Sequence, residues 1–108
     1  MSDKSLIPRE RAGRDVDEAV THYINEHTVQ AALGFVDSLE NAYAHIGRYP
    51  GTGSSRFAHE LDLPELRTWP LTRFPYLVFY VERKDHVDVW RVLHTRRDIP
   101  ALMQEPAG

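Results

Sequence analysis

One histidine and a set of arginines in the C-terminal half carry the side chains best suited to chemistry. His94 titrates near neutral pH when unperturbed and can act as general acid or base, and Tyr80 supplies a phenol. Arg67 and Arg73 flank a short segment around Trp69 and could clamp a phosphate or a carboxylate through paired N–H donors. Arg91, Arg96 and Arg97 add cations close to His94. Each also has a plainer reading. A lone histidine at a strand end commonly serves as a hydrogen-bonding residue. Arg67 and Arg73 have Glu60, Asp62 and Glu65 nearby in sequence as ion-pair partners, and Arg96-Arg97-Asp98 reads as a solvated turn. Trp69 and Trp90 read as packed residues, or as anchors for a partner where they are partly exposed.

Other chemistries are disfavoured by what the sequence contains. There is no cysteine, which removes disulfides, thiolate zinc sites and cysteine nucleophiles. His22, His27, His45, His59 and His86 show no H-E-x-x-H or related spacing, and His22 and His27, five apart, should not face together on a helix. Neither a metal nor any other cofactor is expected. The stretch Gly51-Thr52-Gly53-Ser54-Ser55 lacks the lysine of a phosphate-binding loop. Thirteen Lys and Arg stand against sixteen Asp and Glu, a formal charge of −3. A protein whose affinity came from neutralising phosphates would be basic, so sequence-specific DNA binding is not expected. The acid-rich stretch lies at residues 10–40, whereas Arg67, Arg73, Arg83, Lys84, Arg91, Arg96 and Arg97 leave room for a locally basic face.

The elements that must position these residues follow from periodicity. Ala12, Val16, Ala19, Val20, Tyr23 and Ile24 form one helical stripe, with Asp15, Asp17, Glu18 and Glu26 assigned to the opposite face. That helix is expected from Pro8 or Arg9 to about Asn25, with Pro8 in its first turn and Gly13 costing roughly 1 kcal/mol relative to Ala. Ahead of it, Leu6-Ile7 could form an edge strand. Thr28 is a good N-cap for a second helix whose stripe is Ala32, Val36, Leu39, Tyr43 and Ile46, closed by Gly47, Pro50 and Gly51. So short a connection makes the two helices an antiparallel hairpin. Residues 49–55 (YPGTGSS) are the main loop, and residues 57–66 read as irregular, with room for one helical turn. Strands follow at residues 66–71, an edge strand because Pro70 cannot donate to a ladder, at residues 76–81 (YLVFYV), central, and at residues 87–94. In the last, Val87, Val89, Arg91 and Leu93 should face one way, and Asp88, Trp90, Val92 and His94 the other. Asp98 and Pro100 suit the start of a short final helix.

These elements make an α+β domain: an N-terminal short strand and an antiparallel two-helix hairpin packed on an antiparallel three- to four-stranded sheet, with a short C-terminal helix. A single domain is expected over residues 1–108, with 1–4 and 104–108 frayed. The second sheet face is expected to be partly open, so that Trp90, His94 and neighbouring arginines could line a concave surface. Hydrophobic residues make up 42% and charged residues 27%, ordinary globular usage. The polar N-terminus is not expected to act as a secretory signal and no stretch is long enough for a membrane span, so the cytoplasm is the expected compartment.

Residues 73–103 (RFPYLVFYVERKDHVDVWRVLHTRRDIPALM) resemble the C-terminal signature of RelE/ParE-type toxins: an aromatic strand, a charged turn, a Val-rich strand ending in Leu-His, and a basic step into Arg-Asp. The resemblance continues upstream through the loop Tyr49-Pro50-Gly51-Thr52-Gly53, through Leu66-Arg67, and through Asp15, Tyr23-Ile24, Phe35 and Leu39 in the helical opening. It implies a toxin of a bacterial type II toxin–antitoxin system, held inactive by a cognate antitoxin in a hetero-oligomer. RelE-like members cut messenger RNA on the ribosome, and ParE-like members poison DNA gyrase. The RNA-cutting branch needs a base, an acid and cations clustered together, for which His94, Arg67, Arg73, Arg91 and Tyr80 would be the candidates. His94 belongs to the ParE-like pattern too. The near absence of lysine and the negative net charge favour the ParE-like branch, a non-catalytic gyrase inhibitor. Arg67, Trp69, Arg73, Trp90, His94, Arg96 and Arg97 are then candidate contacts for target or antitoxin. The alternatives are the ribosome-dependent endoribonuclease and a binding module that has lost toxicity.

Overall fold

The computed structural model describes residues 3–104. Strand β1 (Ser5–Pro8) leads into α1 (Glu10–Glu26) and α2 (Val29–Arg48), joined by His27 and Thr28. A single 3-10 turn (Pro50–Thr52) and α3 (Arg56–Leu61) precede β2 (Leu66–Pro70), β3 (Tyr76–Glu82) and β4 (His86–His94), and α4 (Ile99–Met103) follows. The sheet order is β1-β4-β3-β2. The β2-β3-β4 meander is antiparallel as its short connections require. β1, however, lies parallel to β4, so the sheet is mixed. A parallel neighbour needs a long crossover, and the helical hairpin belongs to it.

Pro8 ends β1 instead of opening α1. On an edge strand its missing donor costs nothing, and Arg9 prolongs the ladder by donating to the Val89 carbonyl at 2.9 Å. Thr28 caps α2 as its type predicts, accepting from the Ala31 N–H at 3.0 Å. The hairpin covers one sheet face through Ala12, Ala19, Phe35, Leu39, Ala42 and Ile46, packed on Tyr76, Val78, Tyr80, Val87, Val89 and Val92. Phe35, rather than its neighbour Val36, sits at the centre. Its ring lies 5.1 Å from Tyr76, 5.6 Å from Tyr23 and 5.7 Å from Phe74, and burying it contributes roughly 1.5–3 kcal/mol. Ile24 drops out of its stripe and is 48% exposed at the hairpin tip.

The second face is not open. α3 and α4 cover it, burying Phe57, Leu66, Phe79, Val81, Leu93 and Ile99 in a second cluster. The strand alternation also changes partway along β4. Phe79 pairs with Arg91 but Tyr80 pairs with Val89, so Trp90 is the extra residue of a β-bulge. Past it every side chain is displaced by one position, which puts Val92 beside Val87 and Val89 on the hairpin side. Fraying of residues 1–4 does not extend to Lys4: its N–H donates to Gly47 O at 3.0 Å and its Nζ reaches Glu82 at 2.8 Å. Of the other terminal residues expected to fray, 1–2 and 105–108 lie outside the described residues.

Candidate functional site

β1 ends at Pro8, opposite Val89, so β4 beyond that point has a bare edge along α1. Asp15 closes it. Its carboxylate accepts from the Val92 backbone N–H at 3.1 Å and from Arg91 Nε and Nη2 at 2.7 and 2.9 Å. Arg91 Nη1 donates to the Leu102 carbonyl of α4 at 2.9 Å. Both side chains are almost fully buried, so Asp15 is not on the solvent face of α1, and Arg91 is a brace between three elements rather than a surface cation.

Tyr80 and Arg67 face each other across β2 and β3 and fasten the YPGTGSS loop. The Tyr80 hydroxyl donates to Pro50 O at 2.7 Å, and Arg67 Nη1 donates to Gly53 O at 2.8 Å. Burial raises the Tyr80 phenol, partly offset by a Gly53 backbone hydrogen bond and the Arg67 charge. Trp69 stacks on His45 at 3.9 Å between ring centroids. Trp90 packs at the edge of the second cluster, donates its indole N–H to Asp88 at 3.0 Å, and lies under the Arg9 guanidinium at 4.3 Å. Burial alone would raise the Asp88 carboxyl, but hydrogen bonds from Arg9, Arg83 and Trp90 outweigh it and hold Asp88 below the usual range. Neither Arg67 nor Arg73 pairs with Glu60, Asp62 or Glu65 among the described residues, and Glu65 approaches Arg83 instead.

The remaining candidates gather at one end of the sheet. The turn carrying Arg73 and the turn carrying Arg96 and Arg97 are joined where the Thr95 N–H donates to Pro75 O at 2.8 Å. Beside them a cleft of about 290 Å³ runs between α1 and the end of β4, lined by Glu18, Ala19, His22, Tyr76, Val92, His94 and Arg97 together with Asp15 and Leu93. The bulge separates His94 from Trp90, so these two do not share a surface. The His94 ring stands edge-on to Tyr76 at 5.1 Å, and its Nδ1 accepts the Arg96 backbone N–H at 3.0 Å. That bond uses the ring lone pair and leaves the proton on Nε2. Here the imidazole is a donor, not a ready base. Sequence reading missed His22, Glu18 and Tyr76 as partners of His94. The signal was legible, because Asp15, Glu18, Ala19 and His22 follow the three-to-four spacing of a single helix face. His22 and His27, expected to point apart, lie with ring centroids at 5.5 Å, since His27 has left the helical conformation.

Burial, followed by the charges of Arg96, His22 and Arg97, holds the His94 imidazole below its usual pKa. A histidine depressed in the folded state binds fewer protons than in the unfolded chain. Stability should therefore fall as pH drops through the unfolded value near 6.5 and continue to fall until the lower folded value is passed. The His94 ring resonance followed by NMR should titrate below pH ~6.5, and His94→Gln should flatten that part of the stability profile. A midpoint at or above the unperturbed value would refute the lone-pair assignment.

Comparison with known proteins bears on what this geometry serves. A family model described as "ParE toxin of type II toxin-antitoxin system, parDE" matches residues 6–99. A chain of the solved "Chromosomal ParDE TA system from P. aeruginosa" is similar in fold, with a TM-score of 0.72 at 20% identity, covering 86% of this chain and 97% of that one. Among curated proteins no sequence matches significantly. The family match takes in the hairpin, β2 to β4 and all of β1 but its first residue, which puts the molecule in the class of type II toxins. The chain belongs to the ParE toxin family.

Proposed function

We propose that this chain acts in the cytoplasm as a toxin that binds DNA gyrase without chemistry of its own, and that a cognate antitoxin silences it. The observation that carries the reading is the dispersal of four of the five RNA-cutting candidates, Arg73 alone sharing the end of the sheet that holds His94. Arg91 is committed to Asp15 and Leu102 O, Tyr80 to Pro50 O, Arg67 to Gly53 O, and the His94 lone pair to Arg96 N–H. A general base, a general acid and a phosphate-stabilising cation must meet within hydrogen-bonding reach of one ribose phosphate. These groups are divided between the loop end of the sheet, a buried brace and the turn after β4. Family membership supports the toxin role, and the same dispersal favours binding over cleavage.

Purified protein at micromolar concentration should block supercoiling by gyrase and accumulate cleaved DNA, and the antitoxin added in equal amount should restore supercoiling. Unaltered supercoiling would remove gyrase as the target. Cuts at A-site codons in a translation extract, abolished by His94→Ala or Arg67→Ala, would replace the binding reading with the endoribonuclease. Unchanged growth on expression without the antitoxin would point to a binding module without toxicity.

A further inference from the structure

Arg73, Arg96 and Arg97 are exposed, and among the described residues none has a hydrogen-bonding or ion-pair partner for its guanidinium. Arg73 is also held in the left-handed region at φ 71°, a conformation that is unfavourable for a side chain of this size. Ser38 Oγ donating to Thr72 O at 2.8 Å, and Leu71 N–H donating to Tyr76 O at 3.0 Å, keep the turn in that shape. Nothing among the described residues uses the side chain so displayed. Next to this arginine rim lies the cleft, whose wall of Ala19, Val92 and Tyr76 is apolar and roomy enough for one side chain of a ligand.

We infer that this end of the sheet is a docking surface for an acidic peptide segment, with one apolar side chain seated in the cleft and carboxylates paired with Arg73, Arg96 and Arg97. The assignment rests on the antitoxin reading above for the source of the segment, though its chemistry is set by the surface alone. Charge complementarity selects the occupant. A nucleic acid would also meet the three arginines, but its extended polyanion would run past Glu18 at the cleft rim and Asp17 on exposed α1, on a molecule of formal charge −3. Its backbone would gain nothing from the apolar wall. A short peptide can place its carboxylates against the rim alone, where bidentate arginine pairing is strongest.

The test uses the whole protein and fluorescence anisotropy with a labelled synthetic peptide rich in Asp and Glu around one central leucine. Its lysine counterpart, its leucine-to-serine version, and single- and double-stranded DNA serve as the other probes. The acidic peptide should bind saturably and weaken as salt rises, while the lysine peptide should not bind. Arg73→Gly removes the charge and relieves the backbone, so its fold is kept, and it should lower affinity roughly fivefold. Arg96→Glu with Arg97→Glu should lower it by more than about tenfold, and Glu18→Gln should raise it about twofold. Tighter binding of DNA than of peptide, equal affinity for the serine version, or indifference to all these variants would overturn the assignment. The antitoxin reading is judged separately by co-purification. An antitoxin that binds wild type and the arginine variants alike would sink this surface and leave neutralisation standing, whereas one that binds neither would sink neutralisation.

Discussion

Asp15→Asn should lower the unfolding free energy by about 3–5 kcal/mol, the loss typical when one partner of a buried ion pair is removed. The amide can keep its oxygen toward Val92 N–H and Arg91 Nε, but its NH2 then meets Arg91 Nη2 donor to donor, so one hydrogen bond is lost along with the charge opposite Arg91, which is only 6% exposed and cannot turn to solvent without unseating α4. Most of the expected size comes from that stranded guanidinium. Replacing both partners by apolar residues, Asp15→Leu with Arg91→Met, should cost much less than the two single changes added together, because no charge then remains buried. Urea unfolding of the four proteins closes the cycle, and a coupling below about 1 kcal/mol would mean that water reaches the pair. Tyr43 offers a spectroscopic check. Its phenol is pushed up to about 12 by burial and by the Asp15 charge, so in Asp15→Asn its ionisation should move back toward the ordinary range.

The same pair marks where the sequence stops being readable. The two long helices, the Thr28 cap, the central strand YLVFYV and the edge strand from Leu66 follow from local chemistry, and the structure places them there, although Gly47, read as closing α2, lies inside it and the edge strand stops at Pro70, one residue short. Asp15 reads as a surface acid because a helical wheel assigns polarity without knowing that a neighbouring strand has ended. The bare β4 edge is a consequence of β1 stopping at Pro8, and its demand for an acceptor is a tertiary fact. The bulge at Trp90 is similar. Strict alternation predicts that Val92 and Val87 face apart, and only the ladder between β3 and β4 reveals the extra residue. α3 and α4 are short segments whose helicity depends on Phe57, Ile99 and Leu102 finding the second sheet face, so propensity alone leaves that face open. Among the site residues, arginines recognised by type proved to have different fates. Arg67 and Arg91 are consumed by internal carbonyl and carboxylate groups, while Arg73, Arg96 and Arg97 stay on the surface.

The loop between α2 and α3 gives the other large effect. Composition describes YPGTGSS as the main loop, yet Gly53 is buried and Ser54 pairs with Thr68 as a short extension of the sheet. Gly53 has φ −66°, which any residue adopts, so the requirement for glycine is one of space. A methyl there would overlap the Tyr80 hydroxyl and lie 2.9 Å from Thr68 O. Gly53→Ala should therefore destabilise by about 2–3 kcal/mol, in the range for overpacking a closed interior. Tyr80→Phe alone should cost about 1–2 kcal/mol, since Pro50 O loses its donor in a part-buried site. The double variant separates the two causes. Deleting the hydroxyl removes the atom that the new methyl strikes, so Gly53→Ala made in Tyr80→Phe should cost at least ~1 kcal/mol less than in wild type. The residual cost reflects Thr68 O, which is backbone of β2 and cannot move aside without pulling that strand from β3. Additive costs in the double variant would show that the loop shifts as a unit, and that Tyr80 does not fix it over the sheet.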